Sequence, residues 1–192
     1  MSPEVLIVTR WIHFVAGITW IGLLYFFNFV SVRTMASIDA TARPHLVTTL
    51  NPRAFAWFRH SAWVTVVAGL VLIYGLYWAN GDVVTSKSAR TIMFGMALGV
   101  VMLFNVWMIV WPNQRRVIEA TRTGAKPDPL WARNALYASR TNFSLSFPML
   151  FFMASSSHNP LDDMGLGLAF VVLGALGFAA VLTVQKWWAP RF

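Results

Sequence analysis

His13 is the residue in this sequence whose side chain is best suited to take part in chemistry. It is the only readily ionisable side chain deep within the apolar run from about Val5 to Val30. A titratable group at such a depth is costly to desolvate, so it usually faces the interior of a helix bundle and serves a function. An imidazole in that position can ligate a metal or a haem iron, or it can hydrogen bond to a carbonyl group of a neighbouring helix. Both interpretations stay open at this point.

Three residues accompany His13 at helical spacing. Arg10 lies one turn before it, Gly17 lies one turn after it, and Trp20 continues the same stripe. Gly17 leaves space beside the imidazole for a flat or bulky group, and Arg10 is suitably placed for the propionates of a haem. The candidate cofactor-binding residues on this helix are therefore Arg10, His13, Gly17 and Trp20.

The other histidines are predicted to differ from His13 in depth. His45 falls in a polar loop and His60 at the cytoplasmic end of the second span, where it is typical of an interfacial anchor. The distance from His13 to the inner end of its helix is on the order of 20–25 Å, so His60 and His13 are not expected to share one iron. His158 is predicted on the same side of the membrane as His13. The candidate site is therefore a b-type haem with His13 as first axial ligand and His158 as candidate second ligand.

The composition is that of an integral membrane protein. Of the 192 residues, 57% are hydrophobic and 11% are charged, whereas soluble domains average about 25% charged residues. Cysteine is absent, which excludes disulfides, iron–sulfur clusters and covalently attached c-type haem. The net charge of +8 comes from basic residues between the apolar runs, so it orients helices and does not indicate a nucleic-acid partner. Few carboxylates lie at depth, which disfavours a non-haem metal.

Several apolar runs approach or exceed the ~20 residues that cross a bilayer. We predict an all-α polytopic membrane bundle, a single domain over residues 1–192, with about five spans near 5–30, 55–78, 90–111, 138–156 and 166–187. Asp128 and Pro129 are typical of a helix start before the fourth span. That span is the most polar, which favours a position inside the bundle.

Proline positions suggest where the helices end. Pro44 and Asn51-Pro52 predict that residues 33–53 form a loop, with room for a short surface helix, and Trp111-Pro112 predicts the end of the third span. Within the third span, Asn105 is typical of an interhelical hydrogen bond rather than of a ligand.

Basic residues predict the orientation in the membrane. They concentrate after the first and third spans and in the C-terminal tail, whereas acidic residues concentrate on the other side. The positive-inside rule then places the N-terminus outside and the C-terminus in the cytoplasm. We expect a multi-pass protein of a bacterial inner membrane, in contact with the lipid bilayer.

Three segments resemble one known family. They are Arg10–Gly22, Asn105–Val117 and a long signature from Arg140-Thr141-Asn142 to Ser157-His158-Asn159-Pro160. In order, they resemble the membrane domain of cytochrome-c-linked bacterial urate oxidase (PuuD type). The first segment is also weakly similar to small haem-binding membrane families, such as copper-resistance membrane proteins and membrane protoporphyrinogen oxidases.

This chain departs from that family in two respects. The family signature has a histidine where this chain has Thr141, and the urate oxidases carry a C-terminal cytochrome c domain, which a chain without cysteine is expected to lack. The resemblance implies an oxidoreductase-like membrane protein that passes electrons between a quinone or substrate and a separate acceptor such as cytochrome c. Two alternatives stay open: a non-catalytic accessory subunit of a larger membrane complex, and oxidation of urate or another purine with a separate cytochrome c.

Overall fold

Five long helical rods make up the structure, a computed structural model that describes residues 1–81 and 86–187. The helices are α1 (Pro3–Tyr25), α2 (Val32–Ser37), α3 (Arg43–Leu76), α4 (Lys87–Phe104), α5 (Trp111–Arg122), α6 (Pro129–His158) and α7 (Asp163–Trp187). Two π-helical segments, Phe26–Ser31 and Asn105–Val110, make α1 continuous with α2 and α4 continuous with α5. Within the described residues there is no strand, so the predicted all-α class is confirmed.

Four rods are long and apolar enough to cross a membrane, and we describe the chain as a multi-pass membrane protein. They are Pro3–Ser37, Arg43–Leu76, Lys87–Arg122 and Asp163–Thr183. Large apolar side chains are exposed along them, as expected for helices in contact with a lipid bilayer. The polytopic helical bundle is therefore confirmed.

The remaining rod, α6, has a different composition and position. Its 30 residues extend about 45 Å at the usual rise per residue, but it is more polar than the other four. It packs between α4 and α7 and also contacts α1 and α5. Neighbours on several sides bury its Asn142 amide and the hydroxyl-bearing residues Ser146 and Ser156, as expected for polar groups of a membrane helix. That α6 is a fifth span stays a prediction.

An asparagine pair joins α6 to the second π segment. The Asn105 Nδ2 group donates to Oδ1 of Asn142 at 2.8 Å, and Asn142 Nδ2 donates to the carbonyl oxygen of Met102 at 2.9 Å. Asn142 is fully buried, so all three polar groups would lack water if the pair were broken. The prediction that Asn105 makes an interhelical hydrogen bond is confirmed.

We expect Asn142→Leu to lower the free energy of unfolding by about 1–2 kcal/mol, because it leaves Asn105 and the Met102 carbonyl without their partner. Thr141→Ala is the matched control, since the exposed Thr141 hydroxyl donates only to the carbonyl of Tyr137 in its own helix. It should change stability by less than about 0.5 kcal/mol. Titration with a denaturing detergent measures both values, and equal stability of the two variants would contradict this role of Asn142.

The predicted proline breaks are wrong. α3 begins at Arg43 and runs through Pro52, and the third rod continues through Pro112 to Arg122. Pro44 lies in the first turn of α3, where its missing N–H is not needed. Pro112 lies two residues after the end of the π segment at Val110, and the wider turn of that segment interrupts the regular i to i−4 pattern that a proline disturbs. Both helices therefore extend well beyond the predicted spans.

Two local predictions of helix ends are confirmed. The Asp128 side chain accepts a hydrogen bond from the Leu130 backbone N–H at 2.8 Å, and Pro129 begins α6. The sequence Asn80-Gly81-Asp82 predicts a turn after the second rod, and Gly81 has a φ angle of 77° there, a conformation that glycine adopts without steric cost. Tryptophans at the end of the last rod are typical interface anchors; of these, Trp188 lies outside the described residues, as does Asp82.

The orientation in the membrane stays a prediction with a direct test. Five antiparallel rods place Pro3 and Trp187 at opposite ends of the bundle. A reporter fused after Phe192 should therefore be cytoplasmic, and one inserted between residues 80 and 86 should be external. An external C-terminal fusion would show either that α6 does not cross the membrane or that the basic residues do not set the orientation.

Candidate functional site

The His13 ring lies against α3, where its Nδ1 atom is 2.8 Å from the carbonyl oxygen of Thr65. A carbonyl oxygen only accepts hydrogen bonds, so a neutral imidazole in this position carries its proton on Nδ1. Nε2 then keeps its lone pair. Histidines that ligate metals generally have this arrangement, with one nitrogen fixed by a carbonyl and the other available to the metal.

Gly69 allows the His13 ring to approach α3. A Cβ atom added at Gly69 would lie 3.1 Å from Cε1 of His13, 3.3 Å from its Nδ1 and 3.0 Å from Cε of Met96. Since all three contacts are tighter than ordinary van der Waals contacts, any other residue would displace the ring or the methionine. The glycine therefore helps to fix the position of the imidazole.

The largest cavity that His13 lines has a volume of about 400 Å³ and is mostly apolar. It extends along α1 towards the middle of the bundle, and α4 and α6 supply its opposite wall. Its lining includes Gly17, Trp20, Thr65, Gly99 and the methionines Met96, Met149 and Met153. Cavities of this size and character are typical sites for small molecules and cofactors.

A smaller cavity of about 120 Å³ continues from His13 towards the end of the bundle that holds the N-terminus. Phe14, Met96 and Met153 line both cavities, as His13 does. Arg10 lines only the smaller one and is exposed to solvent. A guanidinium group therefore stands near the N-terminal end of α1, beside a mostly apolar space that surrounds one imidazole.

Trp20 contributes a buried donor to the larger cavity. Its side chain is 1% exposed, and its Nε1 atom has no hydrogen-bond partner among the described residues. A buried N–H without an acceptor is uncommon in folded proteins. A molecule bound in this cavity would have a donor available from Trp20.

The structure brings four of the five predicted site residues together and leaves the fifth apart. Arg10, His13, Gly17 and Trp20 line the two adjoining cavities. His158 lines neither of them: it is exposed at the end of α6, and its Nδ1 is 3.0 Å from the carbonyl oxygen of Ala154. It would have to leave this position to reach a metal at His13, and its role as a second ligand stays a prediction.

His60 lies midway along a helix that is longer than predicted. It falls in the middle of α3, since that helix begins at Arg43 and not near Ala54. It lines a separate groove of about 260 Å³ with Ala16 and Thr19, on a different face of α1 from His13. His60 and His13 therefore lie on different surfaces, which agrees with the prediction that they do not share one iron.

Sequence reasoning missed the residues that other helices contribute. Thr65 and Gly69 come from α3, Met96 from α4, and Met149 and Met153 from α6. A glycine or methionine in an apolar run is ordinary, so only the helix pairing reveals these positions. Among the described residues, no group of three or more His, Cys, Asp or Glu side chains could hold a metal ion.

Comparison with known proteins gives one family and one weak relative. Residues 83–191 match the urate oxidase N-terminal family. The chain is also 28% identical over 133 residues to the ammonium transporter Amt1 of Haloferax mediterranei, an alignment that covers 67% of this chain and 23% of the transporter. The chain thus spans less than a quarter of the length of that relative, and no solved structure matches it. The family match includes the Asn105 and Arg140 segments but not the segment that holds His13.

Proposed function

The chain belongs to the urate oxidase N-terminal family, and from that premise we propose that it is a membrane redox protein that binds a b-type haem through Nε2 of His13. The proposal places it in the inner membrane of a bacterium. There it would pass electrons from a quinol or another reduced substrate to a separate acceptor such as a cytochrome c.

One observation carries the proposal, namely the hydrogen bond between His13 Nδ1 and the Thr65 carbonyl oxygen at 2.8 Å. The bond fixes the ring and holds the proton on Nδ1. It also leaves Nε2 without a hydrogen-bond partner among the described residues. A histidine that served only as a helix contact would need this one bond and no cavity, whereas His13 borders two cavities.

The residues around His13 fit a haem in three respects. The apolar lining of the larger cavity excludes water, Gly17 keeps space beside the imidazole, and Arg10 provides a positive charge where propionates would reach the outer end. When bound, the iron would supply one-electron chemistry at a potential set by its axial ligands and by the polarity around it. The thioethers of Met96 and Met153 also border this space, and methionine is a known second ligand of haem iron.

The test is a difference spectrum of membranes from cells that express the chain, recorded as reduced minus oxidised and compared with membranes from cells that do not. We expect the absorbance bands of a b-type haem in this spectrum. A quinol should reduce that haem in place of a chemical reductant. Membranes that contain the folded chain and show no additional haem signal would refute the proposal.

The family match favours a second candidate function, the oxidation of urate or another purine with a separate cytochrome. Urate-dependent reduction of cytochrome c in membranes, lost when the chain is absent, would support it. A membrane preparation that shows the haem signal but does not reduce cytochrome c when urate is added would exclude this second function. It would remain consistent with the electron-transfer proposal.

A further inference from the structure

A different cavity lies at the opposite end of the bundle from His13, and two arginines line it. Its volume is about 260 Å³. Arg33 reaches it from α2, Arg140 from α6, and Val181 closes it from α7. Arg33 follows His13 by 20 positions along one rod, which corresponds to about 30 Å. The cavity is therefore separate from the proposed haem site.

Arg33 is the decisive residue in this cavity. Its Nη2 atom is buried and has no hydrogen-bond partner among the residues that the structure describes. Among the described residues, no ion pair includes Arg33 and no acidic side chain lines the cavity. A buried charged donor without an acceptor is costly, so this arrangement favours the binding of an anion.

The polar floor of the cavity is already fixed by hydrogen bonds. Asn28 lies in the first π segment and donates from Nδ2 to the Leu24 carbonyl oxygen at 2.8 Å and to Ser139 Oγ at 3.0 Å. These bonds join the first rod to α6 beside the two arginines. The guanidinium groups therefore approach the cavity from two helices that are held together beneath it.

The remaining walls indicate what kind of anion fits. Phe29, Val32, Leu136 and Phe143 surround the arginines with apolar surface. Val32 and Leu136 also line an adjoining cavity of about 370 Å³. Arginine presents paired N–H donors that match the oxygens of a phosphate. Basic pockets between membrane helices near the cytoplasmic surface are typical sites for lipid head groups.

We propose that the Arg33–Arg140 cavity binds a phosphate group, and that the adjoining cavity, which is mostly apolar but also lined by Arg43, holds the rest of the molecule that carries it. An anionic phospholipid supplies both the phosphate group and an apolar body for the adjoining cavity. Free phosphate supplies only the phosphate group. The proposal concerns residues remote from His13 and does not depend on the presence of haem.

The experiment measures the thermal unfolding midpoint of the purified full-length chain in a zwitterionic detergent. The probes are phosphatidylglycerol, phosphatidylcholine and inorganic phosphate, each added alone. We expect phosphatidylglycerol to raise the midpoint and phosphatidylcholine to leave it unchanged. A response to inorganic phosphate that equals the response to phosphatidylglycerol would identify a soluble anion as the source of the phosphate group.

The variants separate the site from general attraction to a basic protein. Arg33→Gln with Arg140→Gln should reduce bound phosphatidylglycerol, counted by native mass spectrometry, at least about tenfold. Arg53→Gln with Arg115→Gln removes the same two charges from exposed positions that line neither cavity, and this variant should bind as the wild type does. If the double variant does not fold, Arg33→Lys keeps the charge without the paired donors and should weaken binding.

The proposal is overturned if neither phosphatidylglycerol nor inorganic phosphate raises the unfolding midpoint of the wild type. It is also overturned if the double variant, or Arg33→Lys in its place, responds as strongly as the wild type. Both results are read from lipid or phosphate binding alone, so they are independent of any haem signal.

Discussion

His13→Ala should abolish haem binding while leaving the bundle folded. The substitution removes the proposed iron ligand together with its hydrogen bond to Thr65. An interhelical hydrogen bond in a membrane is worth only ~0.6 kcal/mol on average, so its loss alone would hardly change stability. A bound cofactor at 100 times its dissociation constant contributes about 2.7 kcal/mol. The haem absorbance and the unfolding free energy of the two proteins, purified in parallel, measure both effects.

His60→Ala is the matched control for that prediction. It removes a second imidazole, which lies in the middle of α3 and lines a groove on another face of α1. We expect the haem spectrum to be unchanged. If His13→Ala retains its full haem content and His60→Ala loses it, the site lies in the groove of His60 and the present assignment is wrong.

His158→Ala determines the number of histidine ligands. Because His158 is exposed and its Nδ1 contacts the Ala154 carbonyl oxygen, we expect this variant to keep its haem. A shift of the spectrum from six-coordinate to five-coordinate iron would show that His158 moves to the iron as the second ligand.

Gly99→Leu should exclude haem without touching His13. Gly99 lines the larger cavity, and a Cβ atom added there would meet no atom within 4 Å. A leucine side chain would therefore project into the cavity. We expect the haem content to fall at least about tenfold, equivalent to about 1.4 kcal/mol of binding free energy. The protein without haem should become more stable, because filling a cavity adds buried apolar contacts.

Gly167→Leu is the control for the effects of Gly99→Leu on both stability and haem content. It makes the same change in α7, where an added Cβ also meets no atom within 4 Å and the residue is exposed. Both variants gain about 1 kcal/mol of helix propensity, but only Gly99→Leu fills the cavity. Equal haem content in the two variants would show that the cavity is a packing void and not a binding site.

The sequence predicted the helical architecture because apolar runs and capping residues are local signals. Asp128 and Pro129 identified the start of α6, and the polarity of residues 141–156 indicated a helix enclosed by others. Proline was the misleading signal. Pro52 and Pro112 lie inside continuous helices, since neighbouring packing and a π segment compensate for the missing hydrogen bond.

One half of the candidate site was predictable and the other half was not. His13, Gly17 and Trp20 repeat along one helix face, so their common lining of a cavity follows from periodicity. Thr65 and Gly69 become partners of His13 only through the register in which α1 packs on α3. His158 was assigned by its predicted side of the membrane, but sharing a side does not bring two residues within bonding distance.

The most direct test of the central claim is the number of haem groups and iron atoms per chain in the purified wild-type protein. The geometry of His13, its bond to Thr65 and the apolar cavity beside it predict one b-type haem and one iron per chain, with a Soret band that His13→Ala lacks. Folded wild-type protein with neither a Soret band nor iron would contradict the account.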